Sequence, residues 1–481
     1  MAERSIDVPD GAAATRVRRG FHGQLLLPDQ DDYHTARQVW NAMVDRKPAV
    51  IARCTSPADV AAAVRFGRTQ DLEIGVRCGG HSVLGLSVPD GGLMIDLTPM
   101  GSVRVDPDRR RAWVGGGALL GDLDRATQAH GLATTAGNVS HTGVGGLTLG
   151  GGMGWLARRY GLACDNVTRF ELVGADGELL YASEQENPDL FWGLRGGGGN
   201  FGVVTEFEFT LHPVGTAALL VDRFYTPQDA PAALRRWREL IPDAPPQATL
   251  TARVGTTGAL PGLAPTLWNR PLANVGYVWV GDPGQGRKLL AALRDGTPPA
   301  VAERVQELSY LELQTIDDQA QRPGLLRRYW KGHYLRDLDD AAIAAFLSRG
   351  DGGDGDPALL PSGSLQSYGG AIAEVGDGDT AFGHRDALVE FVAVAGWTDP
   401  AQDQARMAAA RRYGAVVEPF ASGVYVNDLT DEGQAGIWRA YGPDKLARLA
   451  ALKDRYDPAN LFHLNHNIRP TVRGQAGPEP G

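Results

Sequence analysis

A histidine follows two glycines in the segment RCGGHS, residues 77–82. The segment comes directly after a predicted strand, LEIGVR at 72–77, which places the two glycines in a tight turn with free backbone amides. Gly-rich turns of this kind bind anions. A histidine in such a turn either makes structural hydrogen bonds or takes part in chemistry, so its role depends on the rest of the chain.

Glycine makes up 63 of the 481 residues and is concentrated in two further segments. Eight of the eighteen positions from 137 to 154 are glycine, and RGGGGNFG at 195–202 is a second cluster. A flexible linker would carry serine, proline and charged residues between its glycines. Here the intervening residues are apolar, including Val144, Leu147 and Trp155. Glycine among core residues indicates close backbone approach or positive φ, which a large, flat or anionic ligand would explain.

The elements that would position these loops are strands and helices in alternation. A strand at 48–53 and another at 72–77 flank a predicted helix at 56–70, with Ser56 as its cap. Further strands are predicted at 93–97, 102–105, 111–115, 169–174, 179–182 and 203–211, and a helix at 119–130. Beyond Pro213 we predict helices at 228–241, 284–294 and 443–455, and strands at 248–254, 274–281, 364–373, 388–396 and 423–429. The pattern is typical of an α+β protein.

Composition excludes several classes of protein. Hydrophobic residues make up 43% and charged residues 22%, as in globular proteins. Lys plus Arg total 47 and Asp plus Glu 57, and the net charge of −10 disfavours nucleic acid as a partner. The cysteines Cys54, Cys78 and Cys164 form no CxxC pair, and no apolar run has the length of a signal peptide or a membrane span. We therefore expect a cytoplasmic protein with no membrane segment and no bound metal.

Four segments in a fixed order resemble a known family. RCGGHS is followed by GNVSHTGVGGLTLGGGMGWLARRYGLACDNV (137–167), by ENPDLFWGLRGGGGNFGVVTEFEF (186–209) and by YDPANLFHLNHNI (456–468). In this order they resemble the FAD-linked oxidases of the berberine bridge enzyme type, within the vanillyl-alcohol oxidase superfamily. The resemblance is strongest over 46–212 and 441–468, and the chain is most similar to bacterial members with one flavin linkage.

The resemblance implies an architecture and a cofactor. The fold would be a two-part PCMH-type FAD-binding domain with an inserted antiparallel-sheet substrate domain covered by helices. We place these parts at 1–214 (FAD-binding), 215–440 (substrate-binding) and 441–481 (returning to the FAD-binding domain). The resemblance assigns His81 as the residue bonded covalently to FAD. Relatives with a second linkage use a cysteine where this chain has Val139, so a single bond is expected.

Further cofactor contacts are implied at matching positions. The pyrophosphate would be held by the loop of Arg77, Cys78, Gly79, Gly80 and Ser82. The flavin would be lined by Gly137, Ser140, Thr142, Gly145, Gly146, Gly150, Gly152 and Leu156, with Asn166 supporting its ring system. Val204 matches a strand that closes over the adenine, and Asn465 and Asn467 match asparagines near the pyrimidine ring, although turn formation would equally explain both asparagines.

The catalytic positions depend on two segments of the substrate domain. Many relatives have a tyrosine where YVND, residues 425–428, has Asp428; a carboxylate in an apolar cleft has a raised pKa and can act as a base. Starting a turn is the alternative role for this aspartate. On the predicted strand at 364–373, alternate residues share one face, unless the register slips by one. We rank Tyr368 before Asp428 as base or substrate clamp, with Gln366 on the same strand face as Ser364 and with His141, Tyr334 and Tyr425 as lesser candidates.

The predicted function is that of a flavoprotein oxidase. Its substrate would be an alcohol or amine of a small or medium-sized, partly aromatic metabolite, and its electron acceptor would be molecular oxygen, reduced to hydrogen peroxide. We expect a monomer or homodimer. Three alternatives remain open: a dehydrogenase with another electron acceptor, an enzyme of oxidative cyclisation, and a flavin-binding protein without turnover.

Overall fold

Residues 21–259, 263–351 and 356–471 are described by a computed structural model. The first part of the chain forms two sheets. One has four strands in the order β1, β2, β4, β3, with β2, β4 and β3 parallel; its strands are β1 (Gln24–Leu26), β2 (Val50–Arg53), β3 (Ile74–Arg77) and β4 (Leu93–Asp96).

The second sheet has five antiparallel strands in the order β5, β6, β10, β8, β9. Its strands are β5 (Val103–Asp106), β6 (Arg111–Gly115), β8 (Val167–Val173), β9 (Leu179–Ser183) and β10 (Val203–Thr210). A separate two-stranded pair consists of β7 (Leu132–Ala133) and β11 (His212–Pro213).

The middle of the chain forms one antiparallel sheet of seven strands, in the order β15, β12, β14, β13, β17, β18, β16. Its strands are β12 (Ala217–Tyr225), β13 (Ala248–Thr256), β14 (Pro271–Val280), β15 (Ala302–Ser309), β16 (Arg327–Leu335), β17 (Ser362–Ser367) and β18 (Val389–Trp397). Strand β11 still pairs with a strand of the first part, whereas β12 is the first strand of the seven-stranded sheet. The domain boundaries at 214 and 440 remain a prediction.

Helices connect and cover the sheets. Those of the first part are α1 (Tyr33–Ala36), α2 (Pro57–Thr69), α3 (Leu120–Gln128), α4 (Val144–Leu149), α5 (Ala157–Tyr160) and α6 (Pro188–Leu194). Those after β11 are α7 (Ala230–Leu240), α8 (Pro283–Arg294), α9 (Tyr310–Thr315), α10 (Asp340–Ser348), α11 (Ala371–Glu374), α12 (Asp403–Val417) and α13 (Gly433–Tyr456). None of the helices in the described ranges has both the length and the apolar composition needed to cross a bilayer.

Local sequence explains several of these boundaries. The predicted cap of α2 is confirmed, since Ser56 Oγ accepts a hydrogen bond from the amide of Asp59 at 3.2 Å and Pro57 begins the helix. Helix α13 is bent at Gly442, whose φ is 69°, and continues from Pro443 as the predicted helix at 443–455. The apolar faces of α7, α8, α10 and α12 pack on one face of the seven-stranded sheet, which confirms the expected helical cover.

Two strand predictions after residue 360 were wrong in their extent. The strand predicted at 364–373 ends at Ser367, because Gly369 and Gly370 adopt positive φ and turn the chain. The segment predicted as a strand at 423–429 makes only a single bridge between Gly423 and Tyr334, and Val426–Asp428 form a 3-10 turn. An asparagine and an aspartate end that segment, and both residue types favour turns.

Candidate functional site

A cavity of about 520 Å³ lies between the N-terminal sheets, the seven-stranded sheet and the C-terminal segment. Its volume falls in the range of about 300 to 1,000 Å³ common for ligand sites. One wall consists of glycine loops, another is the face of β17 and β18, and a third is the segment after α13. The cavity therefore brings together the N-terminal glycine loops, strands β17 and β18 and the C-terminal segment after α13, which are far apart in the sequence.

The glycine loops approach each other so closely that side chains are excluded. A Cβ on Gly79 would lie 2.2 Å from the amide nitrogen of Gly143, and a Cβ on Gly143 would lie 2.3 Å from the amide nitrogen of Gly79. Gly146, by contrast, lines the cavity, and outside its chain neighbours and its own helix backbone no atom of the described chain lies within 4 Å of the position of its Cβ. Gly79 and Gly143 serve the packing of the loops, whereas Gly146 leaves space in the cavity.

Two alanine substitutions separate these roles. Gly79→Ala is expected to destabilise the fold by about 1 to 3 kcal/mol, because backbone must shift to admit the methyl group. Gly146→Ala is expected to leave the far-UV circular dichroism unchanged and to lower the flavin content, because its methyl group occupies cavity space. Thermal unfolding and the ratio of flavin to protein absorbance measure both effects. Full flavin content in a folded Gly146→Ala protein would show that no ligand approaches this position.

His81 lies at one end of the cavity, held between two rings. The indole of Trp40 stacks on the imidazole at 5.0 Å between ring centroids, with an interplanar angle of 14°, and the His141 ring lies 4.8 Å away on a tilted plane. Nε2 of His81 is 2.7 Å from Nδ1 of His141, and Nδ1 of His81 is 3.3 Å from Oγ1 of Thr142. Burial, together with the positive charges that His141 and Arg328 carry when protonated, lowers the pKa of His81 to about 3. The imidazole is therefore neutral at physiological pH and available as a nucleophile.

The C-terminal wall is anchored by a buried ion pair. Lys453 Nζ lies 2.7 Å from a carboxylate oxygen of Asp457, and neither side chain is exposed. The ammonium also donates to the carbonyls of Asn200 and Phe462 at 2.7 and 2.9 Å. Asp457 in turn accepts hydrogen bonds from the amides of Leu461 and Phe462. These contacts position Phe462, Leu464, Asn465 and His466 along the cavity.

The sheet wall carries two buried carboxyl groups. Gln366 and Glu390 are direct cross-strand partners on β17 and β18, and Asp428 reaches the same wall from the 3-10 turn, where Gly332 leaves space for it. The carboxyl groups of Glu390 and Asp428 lie within hydrogen-bonding reach of each other. Burial and the negative charge of Glu390 raise the pKa of Asp428 well above its ordinary value, and burial also raises the pKa of Glu390. The negative charge of either group disfavours ionisation of the other, so the two carboxyl groups titrate as a coupled pair.

Tyr425 presents a hydroxyl group of fixed orientation to the cavity. Its oxygen accepts hydrogen bonds from the amide of Gly152 at 2.9 Å and from Nδ2 of Asn427 at 2.7 Å. With both acceptor positions filled, the hydroxyl proton is left to donate. Burial raises the pKa of Tyr425, which keeps the hydroxyl protonated. The cavity wall thus combines a hydrogen-bond donor, Tyr425, with the carboxyl pair of Asp428 and Glu390.

Tyr368, ranked first as the base from sequence, does not line the cavity. It follows the end of β17, is fully buried, and donates a hydrogen bond to Glu390 Oε2 at 3.0 Å while its oxygen lies 3.3 Å from that of Tyr334. Burial and the Glu390 charge raise its pKa well above the ordinary value. We correct the assignment accordingly: Tyr368 supports Glu390 from behind, and Asp428 and Gln366 are the predicted catalytic residues that reach the cavity.

Most of the predicted cofactor residues also line the cavity. They are Cys78, Gly79, Gly80, His81, Ser82, Gly137, Thr142, Gly145, Gly146, Gly150, Val204 and Asn465. Val139, at the position of the second linkage in relatives, lines it too. Cys164 is fully buried in the core near Phe382 and Leu162, away from the cavity walls.

Six predicted cofactor residues lie outside the cavity lining, and each has another structural role. Asn166 bonds to the carbonyls of Tyr160 and Leu162 and to His212, and Leu156 is buried in an apolar cluster. Neither side chain lines the cavity, and their contacts to the cofactor stay a prediction. The other four are Arg77, bonded to the Ala36 carbonyl, Ser140, bonded to Asp318, Gly152, bonded to Tyr425, and Asn467, whose carbonyl accepts from Gln434.

Several cavity residues were not predicted from the sequence. Glu390, Trp40, Trp330 and Asn200 line the cavity. The strand at 388–396 was predicted, and the alternation in VEFVAV could have placed Glu390 on one face of that strand. Its pairing with Gln366 depends on the register between β17 and β18, which the fold sets. Trp40 lies before β2, in a segment with no motif.

Polar atoms around the cavity lack partners within the described chain. They are buried and include Asn138 Oδ1, Asn465 Oδ1, Gln366 Nε2, Trp330 Nε1 and Asp428 Oδ2. A buried polar group without a partner costs about 1 to 3 kcal/mol, so a polar ligand is expected to bind them. FAD fits this site in three respects: the glycine walls admit a flat ring, the asparagines offer partners for its polar edge, and His81 lies at the cavity wall.

Comparisons with known proteins identify FAD-linked relatives of this chain. The family model "FAD binding domain" matches residues 48–183, and the model "Berberine and berberine like" matches residues 424–469. (R)-6-hydroxynicotine oxidase of Paenarthrobacter nicotinovorans is 30% identical over 466 residues, which cover 94% of this chain and 97% of that protein.

Solved structures share the whole architecture. The structure of 6-hydroxy-D-nicotine oxidase from Arthrobacter nicotinovorans matches with a TM-score of 0.81 at 29% identity, covering 93% of this chain and 98% of that one. Glucooligosaccharide oxidase from Acremonium strictum, which carries a 6-S-cysteinyl, 8α-N1-histidyl FAD, has the same fold, with a TM-score of 0.83 at 23% identity and coverage of 95% and 99%. The chain belongs to the berberine bridge enzyme-like family of FAD-linked oxidoreductases.

Proposed function

We propose that this chain is an oxidase with FAD bonded through a single linkage to His81. Its substrate is an alcohol or amine of a small or medium-sized, partly aromatic metabolite, and oxygen is reduced to hydrogen peroxide. The observation that carries the proposal is the buried pair of Asp428 and Glu390 in the cavity that His81 also lines. That pair places a proton acceptor with a raised pKa in the same cavity as the cofactor attachment residue.

Oxidation of an alcohol or amine carbon removes a proton from oxygen or nitrogen and a hydride from carbon. Bound FAD supplies the hydride acceptor. Asp428 is placed to take the proton, since its Oδ2 faces no other partner in the described chain. Glu390 contributes the second carboxyl group of the pair, and it accepts a hydrogen bond from the buried hydroxyl of Tyr368. Tyr425 Oη accepts from Gly152 and Asn427 and so keeps its own proton for a substrate atom, and Gln366 Nε2 offers a second donor.

The single linkage is supported by the cysteine positions. Of the three cysteines, Cys78 alone lines the cavity, and its thiol lies 3.4 Å from the Ala118 carbonyl. Burial raises the pKa of Cys78 to about 11, so the thiol stays protonated and unreactive. Val139 takes the place of the second attachment residue.

The aromatic preference is supported by two indole side chains that line the cavity. Trp330 and Trp40 contact each other edge to face at 5.2 Å, and both line the cavity. Trp40 already stacks on His81 and has the Arg328 guanidinium over its ring, so Trp330 is the indole that can contact a planar substrate. That the enzyme acts in the cytoplasm, in bacterial secondary metabolism or catabolism, and as a monomer or homodimer remains a prediction.

The experiment is a substrate screen on the purified flavoprotein. Aromatic and aliphatic alcohols and amines are added without oxygen, and bleaching of the oxidised flavin absorbance is followed. Air is then admitted, and peroxide and product mass are measured. Bleaching followed by fast reoxidation with one peroxide per product supports the oxidase. Slow reoxidation would indicate a dehydrogenase, a product mass showing ring closure would indicate cyclisation, and a flavin that stays oxidised with every compound would contradict the proposal.

A further inference from the structure

His141 occupies a position that the proposed oxidation does not use. Its Nδ1 lies 2.7 Å from His81 Nε2, while Trp40 stacks on the His81 ring. His141 Nε2 is buried and has no hydrogen-bond partner in the described chain. The two imidazoles therefore form a hydrogen-bonded pair, and in the described chain the Nε2 atom of His141 makes no further hydrogen bond.

The pair leaves one nitrogen of His81 for bond formation. Nε2 is engaged by His141, whereas Nδ1 has only the 3.3 Å contact with Thr142 Oγ1. In the tautomer with its proton on Nε2, His81 donates to His141 and carries the lone pair on Nδ1. Forming a bond at Nδ1 makes the Nε2 proton acidic, so this proton needs an acceptor.

We propose that His141 is the base that accepts the Nε2 proton of His81 while His81 Nδ1 bonds to the 8α carbon of FAD. The inference rests on the proposed covalent linkage and adds how the chain makes it. His141 acts through His81 and is a positioning residue for cofactor attachment, not a participant in substrate oxidation.

The step balances with oxygen as oxidant. The bond between Nδ1 and the 8α carbon forms, one C–H bond of the 8α methyl group breaks, and the Nε2 proton of His81 passes to His141. The electron pair of the broken C–H bond reduces the flavin ring, which molecular oxygen then reoxidises. The two hydrogens lost, one from carbon and one from nitrogen, leave as hydrogen peroxide.

The surroundings of His141 suit a proton acceptor. Burial lowers its pKa, so the ring is neutral and can take a proton, and the nearby charges are Asp318, which favours the protonated form, and Arg328, which opposes it. Asp318 is fixed beside His141, because its carboxylate accepts hydrogen bonds from the amide and hydroxyl of Ser140 at 3.0 and 2.5 Å. The negative charge next to the loop stabilises the imidazolium that the transfer creates.

The test measures attachment instead of turnover. Full-length wild type, His141→Ala and His141→Asn are purified with FAD and denatured in acid, and the covalent fraction of total flavin is followed over time. His130→Ala, which alters an exposed histidine, is the control. We expect attachment at least about 100-fold slower in both His141 variants, the contribution typical of a general base. Asparagine keeps an acceptor for the His81 proton but lacks basicity, so it should not restore the rate.

Adding imidazole to the His141→Ala holoprotein tests whether His141 acts as a base or only fills space beside His81. Restored attachment supports the proposal, because the small molecule supplies the missing base. Slow attachment that imidazole does not accelerate, or a wild-type rate in His141→Asn, would show a structural role and overturn it. Absence of covalent flavin in the wild type would instead defeat the proposed linkage itself, and the inference with it.

Discussion

Replacing Asp428 with asparagine is expected to lower kcat by about 10²- to 10⁴-fold, the contribution typical of a positioned general base. Asparagine has nearly the same shape but does not accept a proton. The covalent flavin content should stay at the wild-type level, because Asp428 lies on the sheet wall and not beside His81. Anaerobic flavin reduction by the substrate measures the chemical step directly.

The pH dependence tests the same residue. Asp428 acts as a base only when it is deprotonated, and burial and Glu390 raise its pKa. The rate of flavin reduction by the substrate should therefore be low at acid pH and should rise with pH through an apparent pKa above the ordinary carboxyl range. Glu390→Gln removes the repelling negative charge and should shift this acid limb to lower pH.

Asp431→Asn provides the matched control. Its carboxylate lies at the surface, bonded to Lys331 and Arg411, three residues beyond Asp428. We expect its kcat to stay within about threefold of the wild type, a change of less than 1 kcal/mol in the barrier. A comparable loss in Asp431→Asn and Asp428→Asn, or an unchanged rate in Asp428→Asn, would show that Asp428 is not the base.

The second large effect concerns the C-terminal wall. Lys453→Met is expected to lower the free energy of unfolding by about 3 to 5 kcal/mol, because it leaves the carboxylate of Asp457 buried without its counter-ion. The carbonyls of Asn200 and Phe462 also lose their donor. Denaturant unfolding measures the loss, and flavin content should fall with it, since this segment lines the cavity.

Lys288→Met is the control for that measurement. Lys288 is an exposed residue of α8, and surface substitutions usually change stability by no more than about 0.5 kcal/mol. A loss below about 1 kcal/mol in Lys453→Met would mean that the pair does not anchor the segment.

Much of the fold could be predicted because local signals agreed with the tertiary structure. Ser56 and Pro57 marked the start of α2, and the glycine clusters marked the cavity walls before any ligand was considered. Most strands of the first two sheets lie within two residues of their predicted bounds. The strands β12, β15 and β16 and the helices α10 and α12 were not predicted. Strand β12 and helix α10 are short, largely apolar runs, which periodicity alone cannot assign to a strand or a helix. Strands β15 and β16 carry polar residues on both faces.

The site was predicted less completely than the fold, for geometric reasons. His81 and Asp428 lie in segments with a family motif, so their positions could be read from the chain. Glu390 belongs to the site only through its cross-strand pairing with Gln366, which no local sequence specifies. Tyr368 was misplaced because Gly369 and Gly370 end the strand one residue before it, and alternation no longer applies there.

The covalent flavin at His81 is the central claim, and one measurement tests it most directly. Wild type and His81→Ala are precipitated with acid, and the flavin absorbance and intact mass of the washed protein are recorded. The account predicts that flavin stays with the wild-type chain as a single adduct and is released entirely from His81→Ala. Release of all flavin from the wild type, or retention in His81→Ala, would contradict it.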